Sequence, residues 1–393
     1  MRSFDFCVPT RIVFGENSLS RLPELLGQQG CRRVLVVSGG KSAKSSGLLD
    51  RVYSLLRQEN IVFDELTGVQ PNPRLTLARE GVKKAIRMNA DLILAVGGGS
   101  VIDTAKAVAH GAADPETDVW EYWAKRAQVK ASLPVGVVLT IPAAGSETSD
   151  SAVLTNDVEG RKRGLNTEFN RPKFAVMDPA LALTLPKHQL ACGVTDIMMH
   201  TLDRYFTPAD DNETTDALAE AILRTVIKNG RALLRDPSDL HAMSEIMWCG
   251  SLSHDNLTGL GNPRDFSVHQ LGHAISEKFD VCHGESLSCV WASWARYVYT
   301  VDPARFAKYA HNVWNVHADS PDEAARIGIE ETENFFRSIG MPTCISELSC
   351  GRLGSEDGEE LTLRCSYGKT RTFGALMPLG HDDMREIYRA ANR

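Results

Sequence analysis

Ala90-Asp91-Leu92-Ile93-Leu94-Ala95-Val96-Gly97-Gly98-Gly99-Ser100-Val101-Ile102-Asp103-Thr104-Ala105-Lys106 is the stretch on which the fold turns. Its first half is almost unbroken apolar sequence, with no alternation that would let one face meet water. Strands of that kind belong to parallel sheets covered on both faces. Three glycines then make a tight turn, and helical spacing resumes at once over 101–109. Outward from here the pattern repeats. Residues 33–38 read as a buried strand ending in Gly39-Gly40, 48–58 as a helix and 61–63 as a short strand. Residues 75–88 read as a helix, 135–141 as an apolar strand closed by Pro142, and 174–177 as a strand before the turn at Asp178-Pro179. This alternation predicts an α/β fold class, with a Rossmann-like parallel-sheet domain over 1–180. The first 15 residues read as an edge hairpin.

Over 181–393 the β-branched runs thin out. Residues 190–206, 214–234, 240–257, 267–278, 285–299 and 304–316 carry helical spacing, with Gly, Pro and Asn-rich joints at 236–238, 259–263 and 302–303. An all-α domain is expected, and the polar, glycine-rich stretch 351–360 reads as a mobile loop.

Composition bounds the function. The 393 residues are 43% hydrophobic and 24% charged, enough for two cores without a disulfide or a structural metal. Against 50 Asp+Glu stand 43 Lys+Arg, a formal charge of −7 that argues against broad nucleic-acid or anionic-membrane binding. No apolar run approaches the roughly 18 residues of a membrane span, and the start of the chain lacks a signal peptide's long apolar centre. A cytoplasmic location is expected. The nine cysteines are scattered with no CxxC pair, and read as reduced packing residues, Cys282 among them.

Two constellations carry chemistry. A glycine-rich turn between a buried strand and a helix leaves backbone N–H groups for a phosphate, and the helix dipole attracts the anion. Gly97, Gly98, Gly99 and Ser100 therefore suit a dinucleotide's pyrophosphate. The motif is not GxGxxG, because Ile102 stands at the last glycine position, and GxxxxGK[ST] is absent. A second turn, Gly39-Gly40-Lys41-Ser42, lies at an equivalent strand end. It has no Asp or Glu for a ribose 2′-OH, whereas Lys41, Ser42 and Lys44 suit a 2′-phosphate, so NADP(H) is favoured over NAD(H).

The second constellation pairs Asp196 with His200 and His269 with His273, each four residues apart, and adds His283. Side chains at that spacing share a helix face. One histidine alone would more often be structural; five potential ligands in three segments point to an N/O site for a divalent first-row metal. Spacing leaves open which of His269 and His273 is a ligand. HExxH and GxSxG are absent, which removes support for a zinc protease or a serine hydrolase. The histidines at 110, 188, 241, 254, 311, 317 and 381 have no such company and read as ordinary.

On these motifs, together with Pro71-Asn72-Pro73-Arg74 and Pro142-Ala143-Ala144-Gly145-Ser146-Glu147, the whole chain resembles the iron-containing (group III) alcohol dehydrogenases, which have a dehydroquinate synthase-like fold. Within them it is most similar to the NADPH-dependent butanol dehydrogenase and broad aldehyde reductase branch. The resemblance implies Asp196, His200, His269 and His283 as ligands of Fe2+ or Zn2+. It implies His273 as a non-ligand near the nicotinamide, a candidate catalytic proton relay. It sets the pyrophosphate on Gly97 to Ser100 and Asp103 near the nicotinamide ribose, with Asn72, Thr140, Pro142 and Ser146 lining the cofactor. Many members of the branch carry a third glycine where this chain has Lys41. The expected enzyme is an NADP(H)- and metal-dependent dehydrogenase of a primary alcohol or aldehyde, butanol-like and broad, at least a homodimer. A polyol or diol dehydrogenase, or a mononuclear metal hydrolase or oxygenase, is the alternative.

Overall fold

The computed structural model describes residues 3–40, 42–208 and 211–393. The chain divides into two units, Cys7–Thr184 and Leu185–Arg393, the latter with residues up to Phe6. In the first, the strands are β1 (Arg11–Phe14), β2 (Arg33–Gly39), β3 (Val62–Val69), β4 (Leu92–Gly97), β5 (Val135–Leu139), β6 (Ser151–Asn156), β7 (Arg161–Asn166) and β8 (Phe174–Met177). Six of them form an all-parallel sheet in the order β1-β8-β5-β4-β2-β3.

β4 lies inside that sheet, and every one of its residues is buried. Alternate residues supply opposite faces. Val34, Val36, Leu92, Leu94 and Val96 join Leu49, Val52 and Leu56 of the Leu48–Gln58 helix in one core. A separate core gathers Leu75, Ala78, Ala107, Trp120 and Trp123. Each Leu or Val so buried contributes about 1.5–3 kcal/mol. The Gly99–Ala113 helix packs closely on Leu75–Arg87: a Cβ on Gly81 would stand 2.4 Å from Val108 Cγ2.

Three local expectations change. The start of the chain forms no hairpin; β1 is a single edge strand running parallel to β8, with Arg11 N donating to Lys173 O at 3.0 Å. Pro9, just before it, has no N–H to offer a ladder. An antiparallel hairpin does occur, between β6 and β7, where a Lys- and Arg-bearing second strand hid it from an apolar pattern search. The stretch 351–360 is not a loop throughout, because a helix, Ser355–Cys365, begins inside it. Glu356 and Asp357 occupy that helix's first turn, where its dipole favours acids, and Leu361, Thr362 and Cys365 are buried.

The second unit is helical. Its main helices are Lys187–Tyr205, Glu213–Arg235, Leu240–His254, Ser267–Phe279, His283–Val298, Pro303–Trp314, Pro321–Ser338, Ser355–Cys365 and His381–Ala391. Among its described residues the only β pairing is an isolated bridge between Phe373 and Leu379. Asp239, Asp302 and Ser320 cap their helices through Ala242 N, Arg305 N and Glu323 N, and proline opens the two helices at 303 and 321. Lys187–Tyr205 is buried around almost its whole circumference, which makes it the central element. Among the described residues no helix is long and apolar enough to cross a membrane.

Candidate active site

In the α/β unit the chain leaves β2 for β3 on one side and returns to β4 on the other. Ligands of open parallel sheets bind at such a reversal, beyond the carboxyl ends of the strands. Both glycine turns lie there, since Ser38 pairs with Val96 and each turn follows directly. The three glycines that end β4 and follow it are needed for room. A Cβ on Gly97 would sit 2.5 Å from Val101 Cγ2, one on Gly98 2.8 Å from Ile141 Cβ, and one on Gly99 3.0 Å from Ala144 Cβ. Val101 N and Ile102 N both donate to Gly98 O, at 3.0 and 3.1 Å. Helix geometry leaves the N–H groups of Gly99 and Ser100 without an intrahelical acceptor, and both residues reach the surface.

The turn after β2 differs. Gly39 and Gly40 have room for a side chain and no left-handed φ, so neither needs to be glycine on steric grounds. Ser42 opens the four-residue helix Ser42–Ser45. Lys41 lies outside the described residues.

The other expected cofactor residues fall into two groups. Thr140 N donates to Gly97 O at 3.1 Å, joining the ends of β5 and β4. Asn72 is buried with φ of 56°, and Lys162 Nζ on β7 donates to its Oδ1 at 2.8 Å. Pro142 is buried. Asp103 is tied into the protein: Ser146 Oγ donates to its Oδ1 at 2.6 Å and Val153 N to its Oδ2 at 2.8 Å. Beneath it lies Lys106, fully buried, donating to Ser146 Oγ at 2.8 Å and Ser151 O at 2.7 Å. Burial pushes the Lys106 pKa down to about 8, although Asp103, Glu147 and Asp150 oppose the shift. Asp103 thus holds the 146–153 segment in position. Sequence reasoning passed over Lys106 and Lys162 because lysine is ordinarily exposed.

In the helical unit, four residues meet. Asp196 Oδ1 lies 3.6 Å from His200 Nδ1, 3.7 Å from His269 Nε2 and 3.7 Å from His283 Nε2. Asp196 and His200 come from the central helix, His269 from Ser267–Phe279, and His283 from the first turn of His283–Val298. These separations exceed a hydrogen bond. They approach the roughly 3.4 Å between ligands held about 2.0–2.1 Å from a tetrahedral cation. Asp196 Oδ1, His200 Nδ1 and His269 Nε2 are buried with no hydrogen-bond partner in the protein. Such orphans cost about 1–3 kcal/mol each unless something occupies the space between them. Three nitrogens and one carboxylate oxygen fit Fe(II) or Zn(II). Burial, then the neighbouring His254 and His269, holds the His200 pKa well below its ordinary value, in the neutral ligand form.

His273 stands aside from this point. Its ring lies 5.3 Å from that of His283 and 6.3 Å from that of His269. Two neighbours of the cluster escaped the sequence reading. Asp203 Oδ2 lies 2.6 Å from His269 Nδ1, which turns Nε2 toward Asp196. The signal was there: 196, 200 and 203 follow the i, i+4, i+7 spacing of one face. His254, read as ordinary, sets its ring 3.8 Å from that of His200 at a tilt of 38°, and no spacing could have announced it.

His188 and Cys282 also depart from expectation. One ligand atom each from His188, Cys192 and Cys282 lie within 4.8 Å of one another. The Cys282 thiol, by hydrogen bonding, and then burial push the Cys192 pKa up.

The family model for iron-containing alcohol dehydrogenase matches residues 9–179, and that for the Fe-containing alcohol dehydrogenase family, C-terminal, matches 190–392. The chain belongs to the iron-containing alcohol dehydrogenases. As a member it is an oxidoreductase of the alcohol dehydrogenase and aldehyde reductase class. It is 37% identical over 391 residues to NADH-dependent butanol dehydrogenase A of Clostridium acetobutylicum, covering 99% of each chain. It is 34% identical over 393 residues to the NADPH-dependent aldehyde reductase YqhD of Escherichia coli, covering 100% of each. The crystal structure of NADH-dependent butanol dehydrogenase A from Thermotoga maritima superposes with a TM-score of 0.96 at 32% identity, covering 100% of this chain and 99% of that one.

Proposed function

We propose that this dehydrogenase transfers hydride between NADP(H) and a primary alcohol or its aldehyde, butanal-like and broad in range, at one divalent cation. The observation that carries the reading is the convergence of His200, His269 and His283 on the buried Oδ1 of Asp196. When bound, the cation supplies Lewis acidity to the substrate oxygen, and the nicotinamide gives or takes the hydride.

The chain's own residues do the rest. Asp196, His200, His269 and His283 hold the cation, and Asp203 fixes the His269 tautomer so that Nε2 is the ligand atom. Gly97, Gly98 and Gly99 bring backbone close to the pyrophosphate, with the Gly99 and Ser100 N–H groups as donors. Asp103, Lys106 and Ser146 hold the 142–153 segment against the cofactor. Asn72 reaches the cofactor with its amide oxygen held by Lys162. His273, beside His283, receives or returns the alcohol proton, directly or through water.

The preference for NADP(H) rests on this chain rather than on its relatives, since those named for NADH and for NADPH are similarly distant. Residues 39–49 contain no carboxylate that would repel a 2′-phosphate, and Lys41, Ser42 and Lys44 are residue types that suit one. The test is nicotinamide oxidation across short aldehydes, on chelator-treated enzyme and after adding back Fe(II) or Zn(II). Activity restored by the cation, with higher kcat/KM for NADPH than NADH, is expected. Full activity after chelation sinks the metal reading, and a preference for NADH sinks that of the second turn.

A further inference from the structure

The central helix carries ligand-type side chains at 188, 192, 196 and 200, four residues apart along one face. The last two belong to the cluster described above. The first two meet a different partner, Cys282, and the three ligand atoms lie within 4.8 Å of one another. We propose that His188, Cys192 and Cys282 form a second divalent-cation site of the thiolate-rich, zinc-binding type, with the Glu285 carboxylate holding His188 beside it.

The geometry is built rather than accidental. Cys282 is the N-cap of the His283–Val298 helix, and its backbone N donates to Glu285 Oε2 at 3.2 Å. That fixes the Glu285 carboxylate over the same turn, and its Oε1 lies 3.0 Å from His188 Nε2. His188 Nε2 in turn lies 3.8 Å from Cys192 Sγ. A tetrahedral zinc, with sulfur at about 2.3 Å and nitrogen at about 2.0–2.1 Å, separates those two atoms by about 3.5 Å. Gly284 makes the approach possible. A Cβ there would stand 2.7 Å from both Cys192 Cα and Cys192 O, so only glycine lets the 282–284 turn rest on the backbone of Cys192.

The ligand set distinguishes this site from its neighbour. Two thiolates and an imidazole make a borderline-soft set that selects zinc over magnesium or calcium. The Asp196 cluster contains no sulfur. His188, with 52% of its side chain exposed, provides the entry route for the cation. A cation here fastens the start of the helix bearing Asp196 and His200 to the start of the helix bearing His283.

Sulfur makes the test direct. The reduced, full-length protein is stripped with chelator and titrated with Co(II), whose thiolate complexes give a near-ultraviolet charge-transfer band. The wild type is expected to show the band and, as purified before stripping, to hold about one zinc per chain more than the Cys192→Ser/Cys282→Ser variant. The band is expected to disappear in that variant and to survive in His200→Ala, which disables the other cluster. His188→Ala, at an exposed position that keeps the fold, is expected to weaken cobalt binding at the band by about tenfold or more. Cobalt bound without the band, a band that persists in the double serine variant, or thiols found joined as a disulfide in the purified protein would each overturn the assignment. Because the readout is spectroscopic, it stands or falls independently of the activity attributed to Asp196.

Discussion

Asp203 Oδ2 lies 2.6 Å from His269 Nδ1 and also accepts from His269 N at 3.3 Å, with the carboxylate fully buried. A carboxylate in that place sets the ring's tautomer and orientation and raises its basicity as a ligand. Asp203→Asn is therefore expected to lower metal affinity about 10- to 100-fold while leaving the secondary structure intact. Competition with a chromophoric chelator measures it. Unchanged affinity would mean that Asp203 only packs.

Asp196 is the shared point of the cluster, and His283 is its most exposed member, with 27% of the side chain accessible. Asp196→Ala and His283→Ala are expected to lose one metal ion per chain and activity together, by metal analysis and aldehyde reduction on the same preparation. An active variant that lacks that ion removes the residue concerned from the ligand set.

The two glycine turns respond differently to the same change. At Gly97 an added methyl meets Val101 Cγ2 at 2.5 Å, and valine's stiff χ1 cannot swing aside within a helix. Gly97→Ala is expected to cost about 1–3 kcal/mol. Gly40 has nothing within 4 Å of the added atom, and Gly40→Ala is expected to change stability by less than about 0.5 kcal/mol. Denaturant midpoints of the two variants decide it; equal costs would contradict the packing account.

What could be read from the sequence was what local pattern encodes. The apolar run 92–96 ending in glycines implied a buried parallel strand and a phosphate turn, because few other structures tolerate that sequence. Asp196 and His200 implied a shared face by spacing alone. Contacts made across elements left no such trace. His254 meets His200 only because two helices cross, and Lys106 is buried only because Ser146 Oγ and the carbonyls of Ser149 and Ser151 surround its ammonium group. Cys282 looked like packing because its partners, His188 and Cys192, lie some ninety residues earlier. Gly284 is the position that lets those segments touch.

His110 makes a prediction about acid stability. It is fully buried, its Nδ1 2.9 Å from Ser132 Oγ and its Nε2 2.8 Å from Asn170 Oδ1. Burial pushes its pKa down from 6.5 to about 4, with the Asn170 contact opposing and Lys106 assisting. In the unfolded chain the imidazole takes a proton as pH falls through 6.5, whereas in the folded chain it does not until about 4. Between those values the unfolded state binds more protons, so stability falls with pH there, by about 3 kcal/mol in all, and this contribution levels off below. Above 6.5 His110 contributes no pH dependence. His110→Gln keeps a side chain that can bond Ser132 and Asn170 but cannot titrate. Urea unfolding of both proteins between pH 7 and 4 isolates the effect from the carboxylates common to them. The wild type is expected to lose about 3 kcal/mol more than the variant across that window. Parallel stability curves would show that His110 is protonated in the folded protein, and its burial would then need a different account.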